Sequence, residues 1–160
     1  MTDLKLGKPP VARTGMLIRR PVAEVFQAFV DPAITAKFWF SRGSARLEPG
    51  KTVEWHWDMY GFSVPVAVKA VEPERRIVVE WPTEGGPTTI EWTFAARPDA
   101  TTFVDIANWG FGGDADAAVA QAIGSTEGFT FVLAGAKALL EQNVTLNLVP
   151  DRHPDGRKKR

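Results

Sequence analysis

Hydrophobic positions recur along this chain with two different periods, and the switch between them divides it into elements. Val11 to Arg19 alternates imperfectly between apolar and polar residues and stops at Pro21, which predicts a first strand. Directly after it, Val22, Val25, Phe26, Phe29 and Val30 fall on one helical face, and Pro21 suits the first turn of that helix. Asp31 and Pro32 end it and open a short second helix, with Asp31 as N-cap and Pro32 at the first helical position, running to about Trp39. From Ser44 to Trp109 the period becomes two. Turn clusters at Glu48-Pro49-Gly50, Tyr60-Gly61, Glu72-Pro73-Glu74, Glu84-Gly85-Gly86-Pro87 and Arg97-Pro98-Asp99 cut this stretch into six short strands. Turns so closely spaced leave no room for crossover helices, so the sheet is antiparallel. Val53, Trp55 and Trp57 share one face, opposite Thr52, Glu54, His56 and Asp58; Ile90, Trp92 and Phe94 likewise oppose Glu91 and Thr93.

After Gly112-Gly113 the helical period returns. Asp114 caps a short helix reaching about Ile123, and Gly124-Ser125 is expected to break and recap it. The longest helix then runs from about Thr126 to Glu141, with Phe129, Val132, Leu133, Ala136, Leu139 and Leu140 as its apolar stripe. Beyond Asn143 the pattern predicts partly extended chain, disordered from Asp155 onward. Assembled, these elements predict an α+β helix-grip fold: a strongly curved antiparallel sheet of about seven strands wrapped around a long C-terminal helix, with two short helices after strand one. Residues 1–10 read as a flexible N-terminus, 11–143 as a single domain and 144–160 as a basic, partly disordered tail. Two short helices do not fill the wider end of such a groove, so a cavity between sheet and helix is expected.

Composition gives that cavity a character. The 160 residues include six Trp and ten Phe against one Tyr, so the aromatic surface is mostly apolar. Cysteine is absent, which excludes thiol catalysis, thiolate metal sites and disulfides. The zero formal charge divides into a body of −3 (residues 1–150) and a tail of +3 (residues 151–160), which argues against a nucleic-acid face on the folded part. The Arg157-Lys158-Lys159-Arg160 run reads as a solubilising terminus rather than a membrane or nucleic-acid contact. The N-terminal stretch lacks the apolar core of a signal peptide and no apolar run approaches a membrane span, so the expected compartment is the cytoplasm, without stable membrane association. In that setting the Asn143-Val144-Thr145 sequon is a chance match.

Several segments resemble a known family. Residues Arg20 to Pro32, with Phe38-Trp39-Phe40 behind them, are similar to the first helices of the START-like, helix-grip superfamily, and within it to bacterial proteins related to the activator of heat-shock-protein-ninety ATPase. Val71 to Trp81 resembles that family's mid-sheet turn and strand. Asn108-Trp109-Gly110-Phe111 and Gly128 to Leu133 resemble its last strand and long helix, so the resemblance covers about residues 11 to 142. It implies the fold strongly and the activity weakly: the superfamily includes lipid and sterol carriers, hormone receptors, polyketide cyclases and oxygenase subunits. The resemblance does not extend to the extra domain that the eukaryotic activator uses for chaperone binding, so it gives little reason to expect a co-chaperone role.

The expected function is therefore binding of a small hydrophobic or aromatic molecule in the cavity. Trp39, Trp55, Trp81, Trp92 and Trp109 are expected to give it flat walls, and Phe129 and Leu133 to line it from the long helix. The resemblance places a polar residue facing the pocket at Asn108, which makes it the candidate for a ligand-orienting hydrogen bond. A cofactor-independent acid–base enzyme, cyclase-like or hydratase-like, is the alternative; it needs Glu80 or Asp105 inside the cavity, whereas strand alternation points both outward. His56 and Asp58 have the residue types for a metal or a general base, but they share the polar face with Glu54 and have no third ligand nearby. No metal and no cofactor are expected. A chaperone-interacting or stress-related module is the second alternative, and a homodimer is compatible with the pattern.

Overall fold

In the computed structural model, which describes residues 5–83 and 85–156, the elements follow the expected order. They are β1 (Ala12–Ile18), α1 (Val22–Val30), α2 (Pro32–Thr35), β2 (Arg42–Gly43), β3 (Thr52–Trp57), a 3-10 turn (Asp58–Tyr60), β4 (Phe62–Glu72), β5 (Arg76–Thr83), β6 (Gly86–Ala96), β7 (Thr102–Trp109), α3 (Ala115–Gln142) and α4 (Leu148–Arg152). The seven strands form one open, curved antiparallel sheet in the order β1-β7-β6-β5-β4-β3-β2. Strands β2 to β7 are sheet neighbours in chain order because their connections are too short for anything else. The first strand instead crosses to the last, pairing Ala12 with Asn108 through Ile18 with Thr102, while α1 and α2 carry the chain to the opposite edge. This is the helix grip that the pattern predicted. A register shift in β4 between Val68 and Ala70 adds a bulge, a device that bends and twists a strand.

The local signals explain most element ends. Asp31 accepts from the Ala33 amide (3.0 Å), capping α2 with Pro32 at its first position. The helix is only four residues long, and residues up to Trp39 continue as hydrogen-bonded turns rather than as the expected helix. β2 is shorter than its pattern and lies two residues earlier. The Leu47 amide bonds to the Val30 carbonyl (3.1 Å), drawing buried Leu47 off the sheet edge toward the end of α1.

The largest difference concerns α3, which runs unbroken for 28 residues through Gly124 and Ser125. Asp114 caps it as expected, accepting from the Ala117 amide (2.8 Å). A glycine in a helix interior costs about 1 kcal/mol relative to alanine, which an established helix tolerates when neighbouring turns are packed. The expected break was a local preference overridden by tertiary contact. The tail differs in one respect: residues 148–152 form a helix where extended chain was expected, and Asp155 follows in a turn. The remainder of the expected disordered basic terminus, residues 157–160, lies outside the described residues.

Two halves of the inner sheet face are covered differently. Over one half, Phe26 and Phe29 of α1 meet Phe94 edge-on and tilted (ring centroids 5.3 and 5.9 Å), and Phe129, Val132, Leu133 and Ala136 of α3 join the same buried cluster. Here α3 comes so close that a Cβ on Gly135 would stand 3.1 Å from the Phe38 Cβ and 3.3 Å from its carbonyl oxygen. Over the other half, α3 presents Gly124 and Gly128, where a Cβ would meet nothing within 4 Å. Polar clamps set the closed end. Lys137 donates to the Leu17 carbonyl (2.8 Å) and pairs with Glu141 (2.6 Å), which also accepts from the Arg19 amide (2.8 Å).

The glycines of α3 should therefore respond with opposite signs. In denaturant melts, Gly135→Val is expected to cost about 1–3 kcal/mol by overpacking against Phe38, whereas Gly124→Ala should add roughly 0.5–1 kcal/mol. The Glu141 clamp predicts a pH dependence. Burial alone would raise this carboxyl, but the Arg19 amide and the Lys137 ammonium outweigh it and hold it below its ordinary value. The stability it supplies is in place above the unfolded glutamate pKa of about 4.3 and is lost as pH falls through the depressed folded value. Urea midpoints measured from pH 7 down to pH 3 should show a smaller acid loss in Glu141→Gln than in the parent.

Candidate functional site

Under the glycine-bearing half of α3 lies a cavity of about 600 Å³. That is within the usual size range for small-molecule sites. Its position follows from strand alternation combined with the taper of the helix side chains. Along β5, β6 and β7 the inward residues change from Ile77, Val79, Trp92, Phe94, Val104 and Ile106 at the packed end to Trp81, Thr88, Ile90 and Asn108 at the other. Opposite this second group, the first half of α3 offers Gln121, Gly124, Ser125 and Gly128. Small helix residues leave the space; aromatic sheet residues give it flat walls.

Trp39 closes the inner end. Its ring lies 4.8 Å from Trp55, 5.6 Å from Phe129 and 6.1 Å from Trp92, and is nearly parallel to Trp81 (13°, 6.4 Å). Trp57 stacks on its cross-strand partner Phe62 (5.1 Å, 11°), and both face the cavity. Such offset and edge-on aromatic pairs contribute about 0.5–1.5 kcal/mol each beyond their buried area. Trp92, behind Trp39, carries the sole buried side-chain polar atom without a hydrogen-bond partner among the described residues, its indole nitrogen.

One polar bridge crosses the cavity wall from sheet to helix. Asn108, 5% exposed, donates through Nδ2 to the Thr89 carbonyl (2.8 Å), and its Oδ1 accepts from the Ser125 hydroxyl (2.8 Å). The amide has two N–H donors, so one is available to a ligand acceptor in the cavity. Thr88, also on the wall, donates to the Trp81 carbonyl (3.4 Å). Charged groups stand at the rim: Glu127 on α3, and Arg152 with His153 at the end of α4. Glu127 and Arg152 form an ion pair, whose hydrogen bond and charge hold the guanidinium above its ordinary pKa.

Of the eight residues expected to line the cavity, Trp39, Trp81, Asn108 and Phe129 do so. Trp55, Trp92 and Leu133 are buried behind the wall, packed in the core rather than facing the space. Trp109 does not reach it. Adjacent residues on a strand face opposite ways, so Asn108 inward requires Trp109 outward, on the side of Phe103 and Asp105. Trp57, Phe62 and Tyr60 were missed, as were the tail residues Val149, Arg152 and His153. A signal was present in the i, i+4 pair Gly124 and Gly128 together with Ser125, which reads as a break in a local window but as a shallow face on a continuous helix.

The acid–base candidates are elsewhere. Glu80 faces Lys69 (3.7 Å) and Asp105 faces Arg13 (3.6 Å) on the outer surface of the sheet. His56 alternates with buried Trp55 and Trp57 and is on that outer side, while Asp58 is bonded by Arg42. None of the four lines the cavity. Among the described residues no group of three or more metal-ligating side chains converges, and no helix is long and apolar enough to cross a membrane.

Residues 19–141 match the family model described as Activator of Hsp90 ATPase homolog 1-like protein. The chain is similar in structure to protein SSP2350 from Staphylococcus saprophyticus, with 30% identity, a TM-score of 0.72, and coverage of 86% of this chain and 96% of that one. The Aha1 dimer from Colwellia psychrerythraea shares the fold at 15% identity (TM-score 0.71, covering 83% and 97%). CalU16 from Micromonospora echinospora does so at 16% identity (TM-score 0.68, covering 86% and 78%). No curated protein matches the chain significantly.

The sheet-to-helix bridge is open to a direct test. Ser125→Ala leaves the buried Asn108 oxygen without its donor and should cost about 1 kcal/mol in a urea melt. An unchanged midpoint would show that water replaces the hydroxyl at no cost.

Proposed function

The chain belongs to the family of Activator of Hsp90 ATPase homolog 1-like proteins, and from that premise we propose that it binds a small, flat, largely apolar molecule between α3 and the sheet. One observation carries the reading: Gly124 and Gly128 of α3, themselves exposed, border the same open-sided space as Trp39, Trp57 and Trp81. Larger side chains there would narrow the opening, so the two glycines keep it wide at a cost in helix propensity. The walls match an aromatic body, which stacks on Trp81 and Trp57, and the free Asn108 N–H suits a carbonyl or ether oxygen on it. Fold alone assigns no ligand, so the choice of ligand chemistry is argued from the site.

Flavone, a planar aromatic ketone, is a suitable probe. Bound against Trp39 and Trp81 it should quench the intrinsic Trp fluorescence in a saturable manner. Gly128→Leu puts a branched aliphatic side chain into the same space without loss of helix propensity, so affinity should fall by more than about tenfold while the thermal midpoint does not drop. Thr52→Leu, on the outer face of β3, should leave the affinity unchanged. Saturable binding that ignores Gly128→Leu would place the probe outside the cavity and refute the reading.

A further inference from the structure

We propose that the segment from Asn143 to His153 is a hinged cap that governs exchange through the cavity mouth, with the Glu127–Arg152 ion pair and the Tyr60 hydroxyl as its latches. The idea rests on the reading of the cavity as a ligand site, and it concerns residues beyond 141, where the match to the family model ends.

The two sides of the mouth are built differently. On one side, the β5–β6 turn and the segment preceding α3 are in backbone contact: a Cβ on Gly112 would stand 2.6 Å from the Gly85 carbonyl oxygen, and one on Gly85 would stand 3.0 Å from the Gly112 Cα. The Gln121 side chain ties Gly112 to α3, donating to its carbonyl (2.9 Å). With backbone on backbone and glycine at both contact points, this rim is fixed at the contact, beside Thr83 and Phe111 of the cavity wall. The other rim is α4, which places Val149, Arg152 and His153 on the cavity wall but buries none of its own residues. Val149 packs partly buried against the core beside Tyr60, and the polar attachments are half-buried or at the surface. Tyr60 donates to the Val149 carbonyl (3.0 Å), the Tyr60 ring meets His153 edge-on (6.5 Å), and Arg152 pairs with Glu127, both side chains about half exposed. Segments held this way occupy the low-stability end of a fold and open locally without global unfolding.

The linker has the form of a hinge. Asn143 (φ 54°) ends α3 in the left-handed region, and Asn147 (φ 56°) enters α4 in the same region. Asparagine moves between left- and right-handed backbone regions at less cost than most residues, and large changes at a few end-of-helix positions are how hinges work. Between these two residues, Val144 and Leu146 are exposed and residues 143–147 have no regular structure, so rotation about the pair breaks no ladder. Opening lifts Val149 off the apolar rim; closing returns it there and re-forms the ion pair. A cap of this kind slows both entry and departure of the ligand, setting residence time as well as selecting by size.

Absence of native cysteine makes the motion measurable. Thr88→Cys puts a single thiol on the cavity wall at a position only 2% exposed. The probe is 4,4′-dithiodipyridine, a neutral aromatic disulfide that forms a mixed disulfide with the thiolate and releases one thiopyridone; being uncharged, it is not steered by rim charge, and a pH–rate profile for each variant corrects for the thiolate fraction. The capped protein should react slowly. Adding Arg152→Gln, or separately Tyr60→Phe, should raise the rate by about tenfold through more frequent local opening. The double reversal Glu127→Arg with Arg152→Glu should restore the slow rate, which shows that latching rather than damage is responsible. A thiol introduced on the outer face by Thr52→Cys should react at one rate in all backgrounds. Rates of the cavity thiol unaltered by both latch changes, or a reversal that fails to slow them while the melt stays intact, would overturn the cap. Hydrogen exchange in the parent protein gives a second test: amides of 148–152 should exchange well before those of 129–140, and equal protection would count against the hinge. Thiol access reads the cap whether or not flavone binds, so the two proposals fail separately.

Discussion

One helix has to cover one face of a seven-stranded sheet, and the rest of the structure follows from how incompletely it can do so. At about 1.5 Å per residue, α3 is roughly 42 Å long, but a helix with its side chains is only about 10–12 Å wide. Curvature of the sheet brings more of its apolar face to the helix, and α1 covers a further part with Phe26 and Phe29. What remains uncovered is either filled by side chains or left as space. The chain does both. Phe129, Val132, Leu133 and Ala136 close one half, whereas Gly124, Ser125 and Gly128 leave the other half open.

Trp39 marks the boundary between these halves. It arrives from the turns after α2, touches rings on both sides and belongs at once to the buried cluster and to the cavity wall. A single large ring therefore separates the cavity from the core. Across it, the Ser125–Asn108–Thr89 bridge holds the helix at a set distance from β6 and β7 where apolar packing is missing. Polar contacts do the spacing at the open end; apolar contacts do it at the closed end.

The same division explains which candidate residues the pattern could identify. Period two assigns a face, and it placed Glu80, Asp105 and His56 outward as the structure has them. It cannot say where along the strand a face stops being core and becomes wall. Trp92 and Trp81 are both inward, yet one lies under Phe129 and Trp39 while the other borders the cavity. Asn108 and Trp109 are neighbours on one strand, so alternation lets only one of them face inward. The tail residues at the mouth had no pattern to reveal them, because α4 is short, exposed and placed by contacts with Tyr60 and Glu127, far away in sequence.

Local chemistry thus determined the strand order in the chain, the antiparallel pairing, the caps at Asp31 and Asp114, the aromatic inner face and the helix-grip class, since each depends on short-range periodicity and turn residues. Tertiary contact decided the rest. It carried α3 through Gly124-Ser125, shortened β2 in favour of Leu47 packing beside Val30, and separated wall from core along each strand. The reason is common to all three. Helix propensity and alternation are energies of neighbouring residues, whereas a cavity is a shortage of side-chain volume between surfaces that meet only when the chain has folded.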